Sequence, residues 1–206
     1  INNVEVTVSE SVIIDGGVNL NGGKVELKSQ NGTAIILDNV QQAQQNSIIR
    51  NLKITGYDNG VEIRSDDNKI HRIDFSQSKK NCLLVKGNTN SIGDENAPLL
   101  NRNTFKQCGS DNEDAAIFVT EGSRNAIFGN SISHKNRNGI TLKNSSSNRI
   151  GSIYAAGKPS TRNVITDSIN NGINLLEASH NRIFSNYIGV DENNNVLGNR
   201  KHGVYG

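Results

Sequence analysis

Residues 46–92 decide the fold, and they read NSIIRNLKITGYDNGVEIRSDDNKIHRIDFSQSKKNCLLVKGNTNSI. The tripeptide Asn-x-Ile occurs in this stretch as Asn46-Ser47-Ile48, Asn68-Lys69-Ile70 and Asn90-Ser91-Ile92, so each step, from 46 to 68 to 90, is 22 residues. A fixed period of this length is typical of solenoids, in which short repeats stack on one another.

The same pattern extends over the rest of the chain. Further copies of the tripeptide begin at Asn125, Asn148 and Asn181, and looser copies begin at Asn103 and Asn163. A second element, such as Gly60-Val61-Glu62-Ile63, follows each Asn after roughly 15 residues and alternates apolar with polar side chains, as a short half-buried strand does. We therefore predict an all-β, right-handed parallel β-helix of about eight coils with roughly 22 residues per coil.

The predicted solenoid is one domain covering residues 1–206, with three loop excursions. These excursions lie near residues 93–102, 151–162 and 189–199, and the first two begin alike, with Asn-x-Ile-Gly. We expect those two to project from the same corner of the coil, because inserted residues in a repeat form loops.

Composition excludes two classes of partner. The formal net charge of +2 lacks the strong positive balance of a nucleic-acid-binding protein. The sequence has no uninterrupted apolar run of the roughly 18 residues that a membrane-spanning helix needs. We therefore predict no nucleic-acid partner and no membrane span in this chain.

Several strings resemble those of known β-helix proteins. Arg162-Asn163-Val164-Ile165 and Tyr187-Ile188-Gly189-Val190-Asp191 resemble the parallel β-helix repeats of bacterial secreted and surface proteins, and Val12-Ile13-Ile14-Asp15-Gly16-Gly17 is similar to the first coils of pectin-lyase-like domains. The resemblance implies a secreted or cell-surface location. It does not select one activity, because this superfamily contains lyases, hydrolases, epimerases, tailspikes and adhesins.

Stacking of equivalent positions leads to two structural predictions. The leading asparagines should form a ladder or a set of turn caps, in which their side-chain amides hydrogen-bond to each other and to turn backbone groups. Its predicted members are Asn46, Asn68, Asn103, Asn125, Asn148, Asn163 and Asn181. Cys82 replaces the small residue that begins the second strand, whereas Cys108 falls five residues after Asn103, so the two cysteines should lie at different corners and form no disulfide.

The outward positions of the second strand are the candidate ligand-binding surface. One predicted outward row contains Glu62, Leu84, Phe118, Thr141, Asn174 and Tyr205, and the next contains Arg64, Lys86, Thr120, Lys143 and Leu176. The three cations Arg64, Lys86 and Lys143, together with the aromatic rings of Phe118 and Tyr205, would suit an acidic polysaccharide or a cell-surface glycan. The alternative is ordinary solvated strand surface, because long cationic side chains can spread apart and stay hydrated.

Three functions remain open at this stage. The first is a binding, adhesive or structural segment, because the repeat is regular and contains no complete catalytic motif. The second is a lyase, hydrolase or epimerase acting on an acidic glycan, with Asp66 and Asp67 as carboxylates beside Arg64, and with calcium as a cofactor under this alternative alone. The third is a subunit of a phage or cell-surface spike.

The histidines and the chain ends complete the predictions. The four histidines fall in four different coils without zinc-type spacing, so we predict no metal site. The terminal string Gly203-Val204-Tyr205-Gly206 stops within a strand. Because an open solenoid end needs a cap, we expect the chain to be a fragment of a longer protein with missing flanking regions, or its last coil to be capped by a loop or a partner.

Overall fold

The structure is a computed structural model that describes residues 5–17, 23–38, 46–94, 102–152 and 161–206. Within these residues it contains 22 short strands and no helix, and the strands form three sheets that the chain visits in turn. All strand pairs are parallel, and each strand pairs with its equivalents in the coils before and after it. The chain is therefore a parallel β-helix solenoid of about eight coils, as the repeat predicts.

Sheet A contains eight strands, and the other two sheets contain seven each. The strands of sheet A are β1 (Val6–Val8), β4 (Thr33–Leu37), β7 (Asn59–Ile63), β10 (Leu83–Val85), β13 (Ala115–Thr120), β16 (Asn138–Lys143), β19 (Ile173–Leu176) and β22 (Val204–Tyr205). The strands of sheet B are β2 (Ile13–Asp15), β5 (Ile48–Arg50), β8 (Lys69–His71), β11 (Ser91–Ile92), β14 (Ala126–Ile127), β17 (Arg149–Ile150) and β20 (Arg182–Ile183). The strands of sheet C are β3 (Val25–Lys28), β6 (Leu52–Thr55), β9 (Asp74–Ser76), β12 (Thr104–Lys106), β15 (Ser131–Ser133), β18 (Val164–Ile165) and β21 (Tyr187–Ile188).

The apolar core is a narrow column between the three sheets. Alternation along each strand sends one set of side chains inward, and parallel register stacks like on like from coil to coil. In sheet C, for example, Phe75 lies opposite Phe105, and their rings stack with centroids 4.9 Å apart. The inward isoleucines of sheet B are fully buried from Ile49 to Ile150. A single coil could not bury these side chains alone, so the core depends on stacking.

A buried asparagine ladder lies at the corner between sheets A and B. In each step the backbone N–H of one asparagine donates to the side-chain oxygen of the next, over 2.8–2.9 Å. The members are Asn68, Asn90, Asn125, Asn148 and Asn181. The predicted ladder therefore exists, and it satisfies turn backbone groups that would otherwise be buried without partners.

Three members of the predicted ladder were assigned wrongly. Asn103 and Asn163 belong to a second ladder, at the corner between sheets B and C, which also includes Asn130. Asn46 is exposed, and Ser47 takes the ladder position instead, because the Ser47 N–H donates to Asn68 Oδ1 over 3.2 Å. The error has a simple cause: Asn before an apolar strand occurs at both corners, so the motif alone does not distinguish them.

The prediction that the two cysteines stay unpaired is also wrong. Cys82 and Cys108 form a disulfide with a Cα–Cα distance of 5.5 Å, and both residues are fully buried. Cys82 directly precedes β10 and Cys108 follows β12, so both lie at the corner between sheets C and A, in adjacent coils. Cys108 follows Asn103 by five residues, but Asn103 precedes a strand of sheet C rather than of sheet B, so this spacing indicated the wrong corner.

Most residues of the first two predicted excursions lie outside the described residues, which omit 95–101 and 153–160. Their described flanks both lie between a strand of sheet B and a strand of sheet C, so they share a corner as expected. The third excursion follows β21. It contains an antiparallel bridge between Val190 and Val196. Glu192 in this excursion forms an ion pair with Arg102, which lies three coils away, at a distance of 2.6 Å.

Candidate functional site

The outward row predicted on sheet A is present but largely covered. Glu62, Leu84, Phe118, Thr141, Asn174 and Tyr205 stack in register along the sheet. Glu62 and Thr141 are buried, and Phe118 is only partly exposed. Tyr205, in the last strand, is half exposed and stacks on the ring of His202. The two aromatic rings therefore lie three coils apart rather than side by side.

The three predicted cations of sheet A are paired within the protein. Arg64 contacts Asp38 at 2.7 Å and Glu62 at 2.8 Å. Lys86 contacts the same Glu62 oxygen at 2.8 Å, and Lys143 contacts Glu113 at 2.6 Å. Arg64 and Lys86 thus compensate the buried Glu62 carboxylate, which leaves less positive charge for an acidic ligand than the sequence alone indicates.

The ionisation of Glu62 makes the stability of this cluster depend on pH. Burial by itself would raise the pKa of Glu62, but hydrogen bonds from Arg64 and Lys86 outweigh it, so the pKa lies below its usual value of 4.5. A carboxyl group with a lowered pKa stabilises the fold above its unfolded-state pKa, and this contribution is lost as the pH falls below 4.5.

We therefore expect Glu62→Gln to lower the free energy of unfolding by about 2 kcal/mol at pH 7, because it removes a buried partner of two cations. The deficit should shrink as the pH falls below 4.5, because the unfolded chain takes up the proton first and the folded chain follows at its lowered pKa. Urea unfolding of both proteins across this pH range would measure it. A deficit independent of pH would contradict an ionised Glu62 in the folded state.

The predicted catalytic carboxylates occupy a turn after β7. Asp66 Oδ1 accepts two hydrogen bonds from Asn88, one from the backbone N–H at 2.6 Å and one from the side-chain Nδ2 at 3.2 Å. Asp67 has a left-handed backbone conformation, with φ of 60°. Asp66 is thus engaged in stacking one turn on the next, and Arg64 points to Glu62 and Asp38 instead.

A groove that the sequence did not indicate lies on the outer face of sheet B. It has a volume of about 450 Å³ and is lined by Ile48, Lys69, His71, Ser91, Gly93, Asp94, Ala126, Phe128 and Arg149. We call it the sheet B groove. This volume is within the range of small-molecule sites.

Strand register places the groove between two cations. Lys69, Ser91, Ala126 and Arg149 are successive members of one outward row. Lys69 and Arg149 are three coils apart, about 14 Å at the strand spacing of parallel sheets. Between these two cations the side chains of Ser91 and Ala126 are small, and they form the bottom of the groove.

The wall of the groove is built at the corner between sheets B and C. Gly93 has φ of 121°, and a side chain there would begin 1.7 Å from the Phe128 carbonyl oxygen, so only glycine fits. The Arg149 guanidinium lies 5.8 Å from the centroid of the buried Phe128 ring, which is a cation–π distance. Arg149 is thereby positioned at the end of the groove.

His71 and Asp94 form a titratable pair on the same wall. His71 Nδ1 is 3.8 Å from Asp94 Oδ2, and the His71 side chain is 14% exposed. Burial lowers the pKa of His71, against the opposing effect of the Asp94 carboxylate. The pKa of His71 therefore lies below its ordinary value of 6.5, and the ring is neutral at pH 7.

The Asn-x-Ile motif itself carries a sequence pattern that indicates this site. In the Asn-x-Ile motifs that begin at Asn68, Asn148 and Asn181, the middle residue points outward, and these residues are Lys69, Arg149 and Arg182. The asparagines of the motif have a structural role in the ladder, whereas the predicted ligand-binding surface lies on the second strand. Once the corners are assigned, the same alternation rule predicts a cationic row on sheet B.

The comparisons with known proteins identify no relative. The chain matches no protein-family model, no curated protein and no solved structure. Within the described ranges, no three His, Cys, Asp or Glu side chains are grouped so that they could hold a metal ion. Those ranges also contain no helix with the length and apolar character needed to cross a membrane.

Proposed function

We propose that this chain is a non-enzymatic binding segment of a secreted or cell-surface protein, and that an acidic carbohydrate binds in the sheet B groove. The observation that carries the proposal is the groove itself, which is lined by the cations Lys69 and Arg149 with the small residues Ser91 and Ala126 between them. The string similarity to pectin-lyase-like and related β-helix repeats supports a carbohydrate ligand as well.

The charge on this face favours an anion. Lys69 is exposed and takes part in none of the ion pairs found among the described residues. Arg182 continues the same row one coil beyond Arg149. An anionic chain lying along the solenoid axis would therefore meet positive charge at Lys69 and, three and four coils further on, at Arg149 and Arg182, which raises its rate of association and orients it.

The disulfide supports the proposed location. Structural disulfides form and persist in oxidising compartments, such as the extracellular space and the bacterial periplasm, and are rare in the cytosol. The Cys82–Cys108 bridge is fully buried and joins two coils, so its role is structural. A secreted or surface-displayed chain is consistent with both cysteines being used in this way.

The test is binding of a trimer of galacturonic acid by isothermal titration calorimetry. We expect the wild-type chain to bind and Lys69→Ala to weaken binding about tenfold, because a charge-assisted hydrogen bond is lost. Lys106→Ala is the matched control, since Lys106 is exposed on the outer face of sheet C. It should leave the affinity unchanged.

Two results would count against the proposal. Equal losses in Lys69→Ala and Lys106→Ala would indicate general charge attraction rather than binding in the sheet B groove. Release of shortened or unsaturated products, detected by mass spectrometry with and without calcium, would establish an enzyme and contradict the non-enzymatic role.

A further inference from the structure

The two ring nitrogens of His71 have different surroundings. Nδ1 is buried, has no hydrogen-bond partner, and lies 3.8 Å from the Asp94 carboxylate. The ring nevertheless lines the sheet B groove. Of the two ring nitrogens only Nδ1 is among the buried atoms without a partner, and Nε2 has no hydrogen bond among the described residues, so Nε2 is the nitrogen that can reach the groove.

The Asp94 carboxylate selects the tautomer of the neutral ring. A negative charge stabilises a proton on the nearer nitrogen, so the proton belongs on Nδ1. At 3.8 Å the contact is too long for a hydrogen bond, but a shift of less than about 1 Å would complete one. The lone pair is then on Nε2, which makes that nitrogen an acceptor facing the groove.

We propose that His71, oriented by Asp94, is a specificity-determining residue of the groove, and that its Nε2 accepts a hydrogen bond from a hydroxyl group of the bound carbohydrate. This inference rests on the proposed function, because it assigns a role within the same site. Lys69 and Arg149 would contact the anionic group, and His71 would read a hydroxyl group beside it.

With this role for His71, the groove should bind sugar acids more tightly than simple anions. A sulfate ion or a short dicarboxylate offers negative charge but no hydroxyl donor to Nε2. A sugar acid offers both a negative charge and a hydroxyl donor.

The neighbouring charges that act on His71 are those of Asp94, Arg72, Arg50 and Asp15. Arg50 and Asp15 already form an ion pair with each other at 2.8 Å.

The tautomer can be measured without any ligand. Nitrogen-15 NMR of the histidine side chains distinguishes a protonated Nδ1 from a protonated Nε2. At a pH where the ring is neutral, we expect His71 to carry its proton on Nδ1, and we expect Asp94→Asn to reduce that preference. A proton on Nε2 in the wild-type chain would overturn the proposal, because the acceptor would then face Asp94.

The binding test uses trigalacturonic acid and its methyl ester, which keeps the hydroxyl groups but removes the charge. His71→Ala should weaken binding of both ligands by the same factor, about fivefold, because a neutral hydrogen bond is lost. His180→Ala is the control, since His180 is exposed beyond β19. A loss confined to the charged trimer would show that His71 acts as a cation and would overturn the inference.

Failure of this inference and failure of the proposed function give different results. If the wild-type chain binds neither trimer, the proposed function fails. If it binds, and Lys69→Ala weakens binding while His71→Ala binds both ligands as the wild type does, the groove is the site and the role of His71 is wrong.

Discussion

Replacement of Asn125 by alanine is expected to lower the free energy of unfolding by about 4 kcal/mol, because it leaves buried polar groups without partners. The side chain of Asn125 makes three buried hydrogen bonds. It accepts from the Asn90 backbone N–H at 2.8 Å, and it donates to the Gly87 carbonyl at 3.0 Å and to Asn148 Oδ1 at 3.1 Å. Since the ladder is continuous, the effect should reach both neighbouring coils.

Asn46 provides the matched control. It begins the same tripeptide motif, but it is exposed, and Ser47 occupies the ladder position. Asn46→Ala should change the free energy of unfolding by less than about 0.5 kcal/mol, as is usual for surface substitutions. Urea unfolding followed by circular dichroism would measure both variants. Equal losses in the two variants would contradict the ladder register.

Loss of the Cys82–Cys108 disulfide is expected to lower the free energy of unfolding by about 3.5 kcal/mol, through the loop-closure entropy of the unfolded chain. The bridge spans a sequence separation of 26 residues. For a chain of this length, such a loss corresponds to a decrease in Tm of about 10 °C. Thermal unfolding of Cys82→Ala/Cys108→Ala beside the wild-type chain would show it.

A reducing agent supplies the control for this prediction. It should lower the Tm of the wild-type chain when added after brief unfolding, and it should leave the double variant unchanged. Thiol titration of the denatured, unreduced chain should find no free thiol, because both cysteines are in the bridge. Two free thiols, or equal Tm values for variant and wild type, would contradict a stabilising disulfide.

The sequence by itself determined the solenoid. A period of 22 residues and two-residue alternation are both local patterns, and each of them constrains which side chains can be buried. Alternation also predicted the outward rows of sheet A correctly, from Glu62 to Tyr205, because strand geometry sends neighbouring residues to opposite faces. These features need no knowledge of what lies in the next coil.

Only the tertiary structure decided which residues meet across coils. Additional residues in the sequence before Asn103 and Asn163 change the count along the chain, so equal motifs fall at different corners, and Cys108 comes to lie beside Cys82. Pairing of Arg64 with Asp38 and of Lys86 with Glu62, and the position of His71 beside Asp94, depend in the same way on side chains 22 or more residues apart. Local periodicity specifies the face on which a residue lies, whereas charge pairing and disulfide formation depend on distances that the stacking of whole coils sets.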